Sequence, residues 1–214
     1  MKKLIYIIAV SATLVTSGCS DYLDSENLYG VNSETFYKTP DDINAAISGI
    51  YNAIYVGSVH SEEQIAANLM DNMMLGGGGA DDISAKNVDN FQDPTDDTYR
   101  DLWIQSYFGI TRANAVIEKT AAADFSKYFT TKEEAAKFKQ QAIGEALFMR
   151  AFFYFRLAKF FGGVPLIIKL DGERTVPRAS YTETYAQIAS DLKASIETLP
   201  ATPFTSIPTS NYGH

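Results

Sequence analysis

Residues 144–166 read Gly-Glu-Ala-Leu-Phe-Met-Arg-Ala-Phe-Phe-Tyr-Phe-Arg-Leu-Ala-Lys-Phe-Phe-Gly-Gly-Val-Pro-Leu, and no other stretch constrains the fold so strongly. The run to Phe161 reads as a helix, and Gly162-Gly163 followed by Pro165 is the punctuation that stops one. Its aromatic residues occupy too much of the circumference for a helix that faces water. Other elements must enclose it. A chain of 214 residues, 46% hydrophobic with 13 Phe and 13 Tyr, is long enough to supply them.

Those elements are helices as well. Thr39-Pro40-Asp41-Asp42 opens the first: Thr39 can cap, Pro40 suits the first turn, and the acids sit at the positive end of the dipole. Ile43, Ala46, Ile47, Ile50, Tyr51 and Ile54 follow at helical spacing. Ser61-Glu62-Glu63-Gln64 is a capping box for a second helix through Ile65, Leu69 and Met70. A third places Tyr99, Leu102, Trp103, Tyr107, Ile110, Ala113 and Ile117 on one face. Thr131-Lys132-Glu133-Glu134 caps the long aromatic helix, which ends near Phe161, and Val164 to Leu170 is expected to be extended. Ser180-Tyr181-Thr182-Glu183 caps a fifth helix, with Tyr185, Ile188, Leu192, Ile196 and Leu199 expected inward and Pro200 as the stop. No strand alternation is sustained. The expected fold is all-α, with connections that suit antiparallel helix pairs.

The N-terminus reads as an address. Lys2 and Lys3 precede an apolar run from Leu4 to Val15, then Thr16-Ser17-Gly18 leads to Cys19, the only cysteine. The run is short for a membrane span, and a lone cysteine forms no internal disulfide. The pattern resembles a bacterial lipobox with Thr16 where Leu is usual. Residues 1–18 are then the signal peptide, Cys19 the acylated first residue, and 19–38 a tether. Ser20-Asp21-Tyr22-Leu23-Asp24 resembles the acidic export tags of Bacteroidetes surface lipoproteins. Loss of Lys2 and Lys3 takes the formal charge from −8 to −10.

The segment from Asp71 to Thr98 has glycines at 76–79, seven aspartates and no sustained period. A loop of this length inside a domain is usually functional or disordered.

The ordered pieces Tyr99-x-x-Leu102-Trp103-x-x-x-Tyr107-x-x-Ile110-x-Arg112-Ala113-Asn114-x-Val116-Ile117, Gly144-Glu145-Ala146, Arg150-Ala151-Phe152, Phe161-Gly162-Gly163-Val164-Pro165-Leu166, Arg178-Ala179-Ser180, Tyr185-x-x-Ile188 and Asp191-Leu192 stand behind that signal. Together they resemble the N-terminal part of the SusD/RagB family of Bacteroidetes outer-membrane lipoproteins, over residues 39–214. The resemblance implies a helical ellipsoid of tetratricopeptide-like helix pairs with long irregular loops. It also implies a surface lid over a SusC-type, TonB-dependent porin, capturing oligosaccharides or peptides without catalysis. Family members are about twice this long, so the chain is expected to be a fragment lacking the C-terminal half.

In sugar-binding members, part of the ligand platform comes from the loop matching residues 71–98. The resemblance therefore singles out Asp81, Asp82, Asn87, Asn90, Phe91 and Gln92, where a ring can stack on a sugar face beside fixed polar groups. Trp103 lies on an apolar stripe and is expected in the core. Arg150 and Arg156 are expected to pair with Glu145 or another acid.

Other chemistries find little support. No basic stripe exists for nucleic acid. The aspartates of the loop do not follow the EF-hand spacing, so no metal is expected. His60 and His214 are too few for zinc or a histidine triad, and the glycine run lacks the Lys-Ser/Thr of a phosphate loop. Neither a catalytic residue nor a cofactor is expected. The readings that remain are glycan capture, peptide capture in the manner of RagB, and a helical scaffold that binds no small ligand.

Overall fold

In the computed structural model, residues 36–55, 99–173 and 175–199 are described. Four α-helices carry the fold: α1 (Pro40–Tyr55), α2 (Arg100–Ala122), α3 (Lys132–Phe161) and α4 (Tyr181–Thr198), with a 3-10 turn at Ser126–Tyr128 between α2 and α3. Among the described residues there is no strand, only an isolated bridge between Pro165 and Arg178. Cys19, the 61–70 helix and the 71–98 loop lie outside the described residues, as do both histidines. All described residues except Phe36 belong to one unit, Tyr37–His214.

The helix starts follow from local chemistry. Thr39 Oγ1 accepts from the Asp42 amide at 3.1 Å, and Asp42 Oδ2 accepts from the Thr39 amide at 2.9 Å. Thr131 with Glu134, and Ser180 with Glu183, make the same reciprocal pair at α3 and α4. Each closes donors that the first helical turn would otherwise leave open. Gly162 ends α3 with φ 73°, a conformation that side chains with a Cβ disfavour. Gly163 lies against the backbone of Ala179 and Ser180, where a Cβ would overlap the Ala179 carbonyl.

Pairs of contacts give the helix directions. Trp103 at the start of α2 packs on Phe161 at the end of α3, while Lys139 near the start of α3 caps the end of α2 at the Ala121 and Ala123 carbonyls. Likewise Phe155 meets Tyr185 and Arg150 meets Asp191, so α3 and α4 also run antiparallel. Helix α1 packs on α2 and α3, with Arg112 donating to the Gly49 carbonyl and Tyr51 to Glu145. The core between them holds Ile43, Ile50, Ile110, Val116, Phe153 and Leu157. Gly109 leaves room for the Phe153 ring, which fills the space beside its Cα where α2 meets α3.

Two expectations about faces need correction. On α4 the buried residues are Thr184, Ile188, Asp191 and Ser195, while Leu192 and Ile196 are exposed, Ile196 by 77%. Ile188 is buried and Tyr185 packs on the core as expected, but Asp191 is drawn inward by Arg150 on α3 and Thr184 by the Val164 amide of the connection that follows it. Among the described residues, moreover, the aromatic helix is not enclosed all round. Phe148 and Phe155 remain 44% and 43% exposed, because α1, α2 and α4 cover only part of its circumference.

Candidate functional site

The connection from α3 to α4 is laid across α2 and α3 as an irregular, extended segment, as its sequence suggested. Such a segment has no ladder to satisfy its backbone, so its polar groups need other partners. Helix side chains provide them. The Tyr107 hydroxyl donates to the Pro165 carbonyl at 2.8 Å. The Tyr154 hydroxyl accepts from the Ile167 amide at 2.6 Å and donates to the Ile167 carbonyl at 3.0 Å. Asn114 Nδ2 donates to the same carbonyl at 2.9 Å, and Glu118 Oε1 accepts from the Leu170 amide at 2.9 Å. Thr184 Oγ1 accepts from the Val164 amide at 3.3 Å.

Arg150 ties this clamp to α4. Its Nη1 donates to Asn114 Oδ1 at 2.9 Å and to the Ile168 carbonyl at 3.2 Å, and its other edge takes both oxygens of Asp191. Gln187 Nε2 also donates to Asp191 Oδ1, at 2.9 Å. The expected buried partner of Arg150 is therefore Asp191, while Glu145 accepts the Tyr51 hydroxyl. A bidentate carboxylate with further hydrogen bonds compensates the cost of burying the guanidinium. Burial pushes the Tyr107 and Tyr154 hydroxyls well above the usual tyrosine range, which keeps them neutral donors at physiological pH.

Trp103 sits in the first turn of α2. Its ring lies edge-on to Phe161 at 4.9 Å and tilted to Tyr107 at 5.0 Å, and Tyr99 lies 5.4 Å from Phe160. The tryptophan is committed to packing, in line with its apolar stripe. Arg156 is buried as well, with its guanidinium 5.6 Å from the Phe152 ring.

The residues singled out for ligand contact (Asp81, Asp82, Asn87, Asn90, Phe91 and Gln92) lie outside the described residues. Among the described residues no group of three or more His, Cys, Asp or Glu side chains converges on a point where a metal ion could sit. Nor is any described helix long and apolar enough to cross a membrane. An open depression of about 480 Å³ lies between the α2–α3 turn and α3. Its Lys139 ammonium is already taken by the α2 carbonyls, and its Asp124 carboxylate accepts from the Ser126 amide. What the described residues build is a helical scaffold.

The scaffold and its motifs have known counterparts. A family model described as "Starch-binding associating with outer membrane" matches residues 21–211. The chain belongs to the SusD/RagB family. SusD-like protein P2 of Formosa agariphila is 31% identical over 218 residues, covering 96% of this chain and 40% of that protein. A SusD-like protein of Bacteroides ovatus is 28% identical over 210 residues, covering 93% of this chain and 35% of that one. Among solved structures, a laminarin binding SusD-like protein superposes with a TM-score of 0.66 at 26% identity, over 83% of this chain and 37% of that one. The SusD-like sequence thus spans 35–40% of the length of these curated relatives. The clamp residues Tyr107, Asn114, Arg150, Tyr154 and Asp191 were not recognised as a unit from sequence. The one available signal was a helix-borne polar residue at a core register, Asn114 among Ile110, Ala113 and Val116.

Proposed function

We propose that this protein is a cell-surface nutrient-binding lipoprotein of a SusC/SusD-type uptake system. It captures oligosaccharides and passes them to a TonB-dependent outer-membrane transporter of the SusC type. The observation that carries this reading is the likeness to the laminarin binding SusD-like protein. The family description, starch-binding and associating with the outer membrane, supports it. Acylation of Cys19 would tether the chain, and multiple acyl chains hold a protein far more firmly than one.

In this reading the helices are scaffold and the loop departing from Tyr99 contributes to capture. Phe91 offers a ring for the apolar face of a sugar, and Asp81, Asp82, Asn87, Asn90 and Gln92 offer partners for hydroxyls. Binding and release, without bond cleavage, is the whole of the chemistry required.

Isothermal titration of the full-length protein against laminarin oligosaccharides, other glycans and a peptide panel tests the reading. Saturable glycan binding, weakened about tenfold by Phe91→Ala, is the expected result. Binding of peptides alone would replace it with peptide capture. Failure to bind either, in a protein that still co-purifies with a porin, would leave a scaffold.

A further inference from the structure

No further inference is drawn: the strongest candidate, the exposed apolar face of α3 and α4 that carries Phe148, Phe155, Tyr181, Leu192 and Ile196, has nothing in the structure to show what covers it.

Discussion

Arg150 and Asp191 meet side-on in the interior, Nε to Oδ2 at 2.8 Å and Nη2 to Oδ1 at 2.7 Å, with 7% and 3% of each residue exposed. The pair fixes the rotation of α4 about its own axis. Asp191→Ala would strand a buried cation and is expected to cost about 3–5 kcal/mol. Leu192→Ala, one residue along but turned outward, is expected to cost under about 1 kcal/mol. Urea unfolding of both variants checks this; equal losses would mean that α4 presents its apolar stripe inward after all.

Gly109 and Phe153 are a matched pair at the α2–α3 crossing. Gly109→Ala forces a methyl group into the Phe153 ring and should cost about 1–3 kcal/mol. Phe153→Leu, damaging alone, should be less damaging in the Gly109→Ala background. Thermal unfolding across the double-mutant cycle reads the coupling. Strict additivity would show that the two residues do not touch.

The buried Tyr154 and half-buried Tyr107 set an alkaline limit. Tyr107 and Tyr154 are raised above the ordinary value of 10.0, mainly by burial, so the fold prefers their neutral forms. A raised folded value contributes stability in full below the unfolded pKa and loses it as pH climbs past that point. Unfolding midpoints should therefore drop above about pH 10. Tyr154→Phe should flatten that drop, while costing about 1–3 kcal/mol at neutral pH because the Ile167 amide loses its acceptor. An unchanged alkaline slope in Tyr154→Phe would remove Tyr154 from the explanation.

At acid pH the sign reverses. The Ser180 hydroxyl and amide hold Glu183 below 4.5, and hydrogen bonding from Ser126 holds Asp124 below 3.8. A depressed folded value gives stability above the unfolded pKa that disappears as pH falls through the folded one. NMR titration of the Glu183 carboxyl should move upward in Ser180→Ala, with Asp124 unaffected. A Glu183 titration indifferent to Ser180→Ala would show that the capping box does not form in solution.

Cys19→Ala should abolish incorporation of labelled palmitate and release the protein from the outer membrane. Equal labelling of the variant would discard the lipoprotein reading and leave an ordinary cleaved signal.

Helix starts and stops were legible because their causes are local. Thr131 with Glu134, Ser180 with Glu183, and Gly162 act within a few residues of themselves. The inward face of α4 was not, because Asp191 is drawn in by a residue 41 positions away and Thr184 by an amide 20 positions away. Hydropathy spacing weighs Leu192 and Ile196 above both, and has no means of registering a distant guanidinium. The clamp was hidden for a similar reason: several of its donors and acceptors address backbone, which every residue has, and its Arg150–Asp191 ion pair joins residues 41 positions apart. The candidate ligand loop lies outside the described residues, and its Gly76 to Gly79 and scattered aspartates suggest a long connection without stating what it touches.

The way the α3–α4 connection is held divides freedom unevenly along the chain. Tyr107, Asn114, Arg150 and Tyr154 hydrogen-bond to backbone carbonyls and one amide of residues 165–168. The gripped segment can therefore exchange its exposed side chains while keeping its path, although Leu166 packs against the core, whereas each gripping residue is tied to one chemistry. Variation that suits a different neighbour can collect at exposed Ile168 and Lys169 at little structural cost. The helices beneath must remain as they are.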